Sequence, residues 1–96
     1  MRYVRVTILH RPDAGQQSSS QFSYPELLGH ADVVTAREFA FRALREGDFQ
    51  KGSVTVAFPQ VAPYAFRFER AGLVGHTLVQ TQGQPEEAQW VGQPCG

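Results

Sequence analysis

A length of 96 residues allows one domain whose core must use most of its apolar side chains, and it leaves too little chain for a second core. Nine basic and nine acidic residues give no net charge, which argues against the broad positive field that non-specific binding to nucleic acid or to an anionic membrane requires. The single cysteine, Cys95, excludes a disulfide framework and a cysteine-based zinc site.

Hydropathy bears on where the protein resides. No stretch approaches the ~18 consecutive apolar residues of a membrane-spanning helix, and the N-terminal sequence MRYVRVTILHRP lacks the apolar run of a signal peptide. The low cysteine content fits a reducing compartment. We therefore expect a soluble, cytoplasmic protein without a membrane partner.

The first predicted element is a strand over residues 2–10. Val4, Val6 and Ile8 occupy alternate positions, which is the two-residue period of a strand with one buried face. Residues 11–21, RPDAGQQSSSQ, are polar and rich in turn-forming types, so they predict a mobile surface loop.

The segment over residues 22–34, FSYPELLGHADVV, allows two interpretations. Phe22 and Tyr24 alternate as in a strand, and the proline that follows removes a backbone donor. Residues 25–28 could form one helical turn, or residues 30–34 could extend a strand. The sequence leaves this choice open.

Residues 35–46, TAREFAFRALRE, predict the main helix. Thr35 and Glu38 have the spacing of a capping box, in which each side chain satisfies a backbone N–H group at the helix start. Gly47 supplies the left-handed residue that commonly ends a helix. The predicted buried face follows the helical repeat and consists of Ala36, Phe39, Ala40, Ala43 and Leu44.

Three further strands complete the predicted sheet. Residues 53–58, SVTVAF, and residues 64–70, YAFRFER, alternate large apolar side chains with polar or small ones. A tight turn leads from the second of these into residues 73–81, LVGHTLVQT, and predicts a hairpin. We expect residues 83–96 to form a flexible C-terminal tail, because they are largely polar.

These elements predict an α+β fold in which one main helix packs on a mostly antiparallel sheet of four to five strands. The order along the chain is strand, an optional second strand, helix and three strands, and the domain spans residues 1–82. One helix covers only one face of such a sheet, so the predicted architecture is a two-layer sandwich. The predicted inner face of the sheet consists of Val4, Val6, Ile8, Val54, Val56, Phe58, Phe66 and Phe68.

The helix sequence raises a question about Phe41. At ~100° per residue, Phe41 lies about 200° around the helix axis from Phe39, and an exposed phenylalanine forgoes roughly 1.5 to 3 kcal/mol of burial. Residues 22–28 could fold across the ring, as loops often do over a small apolar cluster. Alternatively, Phe41 belongs to a patch of surplus aromatic side chains that a partner or a second copy covers.

The patch interpretation favours a small non-enzymatic module that acts by protein–protein contact. Such a module would serve as a regulator, inhibitor or accessory subunit, of the type that phages and mobile elements encode. Aromatic and arginine side chains dominate the energetics of interfaces. We therefore assign the partner-binding surface to Phe41, Arg37, Tyr64 and Arg67, with a protein partner or a second copy in a homodimer as the occupant.

Sequence signatures of catalysis and metal binding are absent. The three histidines lack metal-ligand spacing, the serine run has no nucleophile-elbow context, and the cysteine near the end lacks a fixed base. We predict no catalytic residue, no metal and no cofactor. An enzyme is the second alternative, and it requires the fold to bring a histidine and an aspartate together, such as His30 with Asp32 or His10 with Asp13.

Binding of single-stranded nucleic acid is the first alternative function. The strand YAFRFER interleaves aromatic and basic residues, as sheets that stack bases do. Alternation nevertheless places Phe66 and Phe68 opposite Arg67, so the rings leave the surface if they belong to the core. The zero net charge also weighs against this function.

Overall fold

The computed structural model describes residues 2–11, 16–25, 31–73 and 75–83. Five strands and one helix lie within these ranges. In chain order they are β1 (Tyr3–His10), β2 (Ser18–Pro25), α1 (Val33–Leu44), β3 (Lys51–Ala57), β4 (Tyr64–Arg70) and β5 (His76–Gln82).

The five strands form one sheet in the order β2-β1-β3-β4-β5, and every neighbouring pair is antiparallel. β1 pairs with β3, although β2 and α1 lie between them in the sequence, and the pairs run from Arg5↔Ala57 to His10↔Gly52. β3, β4 and β5 are neighbours both in the sequence and in the sheet, so they form a meander. α1 packs on one face of this sheet. The predicted α+β fold, with one helix on an antiparallel sheet, is therefore confirmed.

The face of the sheet beneath α1 carries the core. All eight sheet side chains that alternation assigned to this face are buried, and none is more than 4% exposed. Phe39 is half-buried and packs on the same core. Burial of a large apolar side chain is worth about 1.5 to 3 kcal/mol, so the alternation determines which side of the sheet faces the helix. The buried helix residues are Val33, Ala36, Ala40, Ala43 and Leu44.

The strand β2 settles part of the segment that the sequence left open. Phe22 and Tyr24 are half-buried and pack against the core from this strand. The strand interpretation is therefore correct up to Pro25, the last residue of β2, which lies at the edge of the sheet. The predicted helical turn over residues 25–28 lies outside the described residues except for Pro25. The alternative of a strand over residues 30–34 is wrong at Val33 and Val34, which form the start of α1.

The loop predicted for residues 11–21 is wrong at its C-terminal end. Residues 18–21 belong to β2, and the pairing with β1 runs as far as His10↔Ser18. β1 is long enough to offer backbone partners to these polar residues, although none of their side chains is in the core. Residues 12–15 of the predicted loop lie outside the described part of the chain.

The helix begins at Val33, earlier than the sequence analysis predicted. Asp32 is the N-cap, and its Oδ1 accepts a hydrogen bond from the Thr35 backbone N–H at 2.9 Å. The capping box predicted for Thr35 and Glu38 is therefore wrong. Asp32 is an equally good capping type, and it already satisfies the N–H group three residues downstream.

The C-terminal end of the helix also differs from the prediction. α1 ends at Leu44, and the C-cap Arg45 keeps a right-handed backbone. Gly47 is not among the glycines with a positive φ, so its predicted left-handed role is wrong. A Cβ atom at Gly47 would lie 2.9 Å from Cε2 of Phe49, so close packing against this ring is the physical reason for a glycine here.

Two further expectations concern the tail and the membrane. The predicted tail, residues 83–96, lies outside the described residues except for Gly83, so its flexibility stays a prediction. Within the described ranges, no helix combines the length and the apolar character needed to cross a bilayer.

Candidate binding surfaces

Tyr64, one of the four predicted partner-binding residues, is part of the core. It is 8% exposed, its ring meets the Phe58 ring edge-on at 6.0 Å, and its hydroxyl donates a hydrogen bond to the Ala31 carbonyl at 3.3 Å. The same alternation that buries Phe66 and Phe68 in β4 also directs Tyr64 towards the helix. Its side chain is therefore not available to a partner in the folded chain.

Arg37 links the helix to the outer edge of the sheet. Its guanidinium lies 5.4 Å from the centroid of the Phe66 ring, and its Nη1 donates a hydrogen bond to the Leu78 carbonyl of β5 at 3.4 Å. β5 is an edge strand of the sheet that the five described strands form. Arg37 therefore covers the middle of the β5 edge.

Phe41 follows Arg37 by one helical turn and lies on the same flank of α1. It is half-buried, and it belongs neither to the core cluster nor to the side chains that pack against that cluster. Phe39 lies on the other flank, where its ring contacts Tyr24 at 5.7 Å and Phe58 at 6.3 Å. The described part of the segment predicted to cover Phe41 therefore packs on the other phenylalanine.

Arg67 lies on the open face of the sheet, which carries the side chains that alternate with the core positions of each strand. It is exposed, and the strand register places it between Ser53 of β3 and Val79 of β5. No described residue forms an ion pair or a hydrogen bond with its guanidinium. The four predicted residues are thus divided among the core, the helix flank beside β5 and the open face.

A groove of about 610 Å³ crosses the open face around Arg67. Leu9 and Val79 add apolar surface to this groove, and Val79 is 55% exposed. Hydroxyl groups from β3 and β5 line it as well. Its charged lining residues are Arg11, Lys51, Arg67 and Glu69. Positive charge therefore exceeds negative charge in the groove.

The open face does not present the rings that base stacking requires. Phe66 and Phe68, which suggested a stacking platform, lie in the core beneath α1. Tyr3 is the one aromatic side chain on the open face within the described strands, and it is 50% exposed at the end of β1. The alternation of residues in β4 therefore places Phe66 and Phe68 on one face of the sheet and Arg67 on the other.

The β5 edge is a second candidate surface. Its sequence, HTLVQTQ, contains no proline and no Asp, Glu, Lys or Arg. Edge strands are commonly protected against further pairing by such residues. The opposite edge, β2, ends in Pro25, which cannot donate to a neighbouring strand. β2 likewise contains no Asp, Glu, Lys or Arg, so the two edges differ in the proline that ends β2 and is absent from β5.

The two described histidines, His10 and His76, both contact Phe49. His10 meets the Phe49 ring edge-on at 4.8 Å, and Nε2 of His76 donates a hydrogen bond to the Phe49 carbonyl at 2.7 Å. Within the described ranges, no group of three or more His, Cys, Asp or Glu residues could hold a metal ion. Both histidine and aspartate pairs that the sequence suggested include a residue outside those ranges.

Tyr24 carries a buried hydroxyl with no hydrogen-bond partner among the described residues. Burial raises the pKa of this hydroxyl above its usual value, and the Glu46 carboxylate raises it further, whereas Arg42 and Arg45 act in the opposite direction. The Arg42 guanidinium lies 4.6 Å from the centroid of the Tyr24 ring. This residue belongs to the covered side of the sheet and to neither candidate surface.

Sequence reasoning identified Arg67 but not the residues that join it in the groove. The strand register brings Leu9 opposite Ser53 and Arg67 opposite Val79, and this register is not visible in any single strand. The alternation of β1 and β4 contained a partial signal, because it places Leu9 and Arg67 on the non-core side of their strands.

Comparison with protein-family models, with curated proteins and with solved structures finds no match to this chain.

Proposed function

We propose that the protein is a non-enzymatic binding module that acts by protein–protein contact and takes an extended, acidic segment of a partner in the groove of the open face. One observation carries this proposal. Arg67 is exposed inside the groove, and no described residue neutralises its charge. The role of a regulator, inhibitor or accessory subunit follows from this mode of action.

The charge of the groove supports an acidic occupant. Arg11 and Lys51 join Arg67 there, and Glu69 is the one acidic side chain in the lining. Lys51 lies directly opposite Glu69 in the strand register, yet no described ion pair joins them. A carboxylate placed beside Arg67 gains two parallel N–H donors, which makes arginine the preferred residue for such recognition.

The apolar part of the groove supports an extended conformation of the occupant. Side chains of an extended segment alternate between two sides, so apolar residues on one side can rest on Leu9 and Val79. Carboxylates at neighbouring positions then reach the cations around the rim. The hydroxyls of Ser53 and Thr77 offer further hydrogen bonds to the backbone of the segment.

A protein segment fits this surface better than single-stranded nucleic acid does. Proteins that bind single strands without sequence preference combine a positive groove with rings on which bases stack. Here the phenylalanines of β4 lie in the core, and the open-face aromatic residue within the described strands is Tyr3, which is not among the residues lining the groove. Two ring-bearing residues line the groove, but Phe68 is 1% exposed and the His10 ring packs against Phe49. Cations without freely exposed rings favour carboxylates over bases.

Fluorescence anisotropy tests the proposal with a labelled peptide of about ten residues that alternates Glu with Val, close to the length of a strand. We expect saturable binding that weakens between about 50 mM and about 500 mM salt, because the contacts are largely electrostatic. A peptide that alternates Lys with Val should not bind. The variant Arg67→Glu should lose binding by at least about tenfold, since it replaces an attraction with a repulsion.

Arg45→Glu is the matched control, because it makes the same exchange at an exposed site outside the groove. It should keep the wild-type affinity for the acidic peptide. Equal losses in the two variants would attribute binding to overall charge and would contradict the groove. Binding of a single-stranded deoxythymidine oligomer of the same length, without binding of the acidic peptide, would replace the proposal with the nucleic-acid alternative.

A further inference from the structure

We infer that two copies of this chain associate through their β5 edges, which pair antiparallel about a two-fold axis at Val79, with Phe41 of each helix packing against its counterpart. The pairing would extend the sheet to ten strands and would place both helices on the same face. This inference rests on the edge and the helix flank and not on the proposed function, although Thr77, Val79 and Thr81 of β5 also line the groove.

The backbone of β5 has hydrogen-bonding groups that none of the described strands uses. Ala71 donates to the Gly75 carbonyl at the hairpin, whereas Arg70 donates to the Gln50 carbonyl on the β3 side. Successive residues of a strand direct their backbone groups to opposite sides. Arg67 and Glu69 therefore face Val79 and Thr77 of β5 in the hydrogen-bonded pairs. The groups of His76, Leu78 and Gln80 consequently point away from the sheet.

The sequence of β5 is compatible with its own copy. An antiparallel pair centred on Val79 brings Val79 against Val79 and Thr77 against Thr81, so β-branched residues meet on the open face. Leu78 and Gln80 then exchange backbone hydrogen bonds between the two copies. The absence of Asp, Glu, Lys and Arg from β5 means that self-pairing opposes no like charges along the strand.

Phe41 supplies an apolar contact between the two copies, in addition to the backbone hydrogen bonds of the β5 pair. It lies one turn after Arg37, whose guanidinium reaches the β5 edge, so helical geometry places this half-buried residue on the flank of α1 nearer the second copy. The helices of two copies in one continuous sheet lie side by side across the axis. Burial of both Phe41 rings would thus add apolar contact area across the axis.

Arg37 makes the association weak in the wild-type chain. Its bond to the Leu78 carbonyl occupies one of the outward backbone acceptors, and this bond must be released on pairing. The separation of 3.4 Å marks it as a long hydrogen bond, which a backbone N–H of a second copy can replace. Arg37 therefore competes with the second copy for the backbone of β5 and is not itself a contact residue of the dimer.

Sedimentation velocity measured from about 10 µM to about 1 mM protein tests the association, because a single strand pair with one ring contact makes a small interface. We expect the wild-type chain to pass from monomer to dimer within this range. Arg37→Ala should lower the midpoint concentration at least about tenfold, which corresponds to roughly one hydrogen bond. Wild-type protein and Arg37→Ala that both stay monomeric at the highest concentration would overturn the inference.

Charge placed at the proposed axis should abolish the dimer. Val79→Lys and Phe41→Asp should each remain monomeric over the whole range, since each brings two like charges together. Val61→Lys is the matched control at an exposed valine in the connection between β3 and β4, and it should dimerise as the wild type does. Equal effects of the two lysine variants would refute pairing at β5.

Cross-linking tests the register independently of affinity. Val79→Cys in a Cys95→Ser background leaves one cysteine in each chain. The two Cα atoms of a non-hydrogen-bonded antiparallel pair are about 4.5 Å apart, which allows a disulfide. Mild oxidation should convert most of the protein to a covalent dimer, whereas Val61→Cys in the same background should not. Equal yields from the two would show that only random collisions had been captured.

Discussion

The two faces of the sheet are built from the same strands but follow different rules. Beneath α1, each position in the centre of the sheet carries a buried apolar side chain, and the loss of any of them opens a cavity. On the open face, Thr7, Ser53 and Arg67 occupy the alternate positions and take no part in the core. Folding therefore dictates the residue types on one face and leaves the other face free for recognition.

The largest expected contrast lies between two neighbours in β4. Phe66→Ala should reduce the free energy of unfolding by about 3 to 5 kcal/mol, because it removes a fully buried ring. Arg67→Ala should change it by less than about 0.5 kcal/mol, since the side chain is exposed and no described residue pairs with it. Urea denaturation of both variants measures the difference. Similar losses would mean that the open face contributes to the fold.

Phe39 and Phe41 allow the same comparison between a core position and a surface position on the two flanks of α1. Phe39→Ala should cost about 1.5 to 3 kcal/mol, because its ring packs between Tyr24 and Phe58 at the core. Phe41→Ala should cost about 1 kcal/mol or less, because its ring is outside the core cluster. The measurement must be made at low micromolar protein, where a second copy adds no stability. A larger loss at Phe41 than at Phe39 would reverse the assignment of the buried flank.

The helix start provides a smaller and sharper comparison. Asp32→Ala should reduce the free energy of unfolding by about 1 kcal/mol, because it removes the acceptor for the Thr35 N–H. Thr35→Ala should cost less than about 0.5 kcal/mol, since the Thr35 contribution to the cap is its backbone. Thermal denaturation followed by circular dichroism can rank the two variants. The opposite ranking would restore Thr35 as the capping residue.

The smallest expected effect on the free energy of unfolding concerns Tyr24, where the substitution should not destabilise the protein. Tyr24→Phe should leave stability at neutral pH unchanged or raise it by up to about 1 kcal/mol, because the hydroxyl is buried without a described partner. The folded-state pKa of Tyr24 is raised, so its contribution is intact below the unfolded-state value near 10.0 and is lost as the pH rises through the folded-state value. The wild type should therefore lose more stability than Tyr24→Phe above that pH. Parallel pH dependence of the two proteins in urea titrations would contradict the raised pKa.

The architecture and the core were predictable because burial imposes a periodic pattern on the sequence. Val54, Val56 and Phe66 alternate with polar or small neighbours, and this repeat identifies both the strands and the side that faces the helix. Tyr64 follows the same repeat as Phe66, so its burial was also predictable, although it was assigned to the partner-binding surface. The surplus of aromatic residues was thus smaller than the sequence analysis estimated.

The features that were missed depend on partners distant in the sequence. Ser18 to Gln21 carry no strand signal, and they are extended because the backbone of β1 pairs with them. Asp32 and Thr35 are both suitable capping types, and local sequence alone did not rank them. The groove depends on the register of four strands, and the Arg37 contact depends on where the helix crosses the sheet. Neither the strand register nor the position of the helix on the sheet can be read from a single segment of the sequence.

The pairing of β1 with β3 has a consequence for how the molecule assembles. It is the one ladder that joins the N-terminal hairpin to the helix and meander, and it brings together residues as distant in sequence as Val6 and Val56. The β1–β2 pair and the β3–β4–β5 meander each join strands that are neighbours in the sequence. The β1–β3 pair instead requires the chain between these two strands to lose its conformational freedom. The slow event in folding should therefore be the formation of the ladder between β1 and β3.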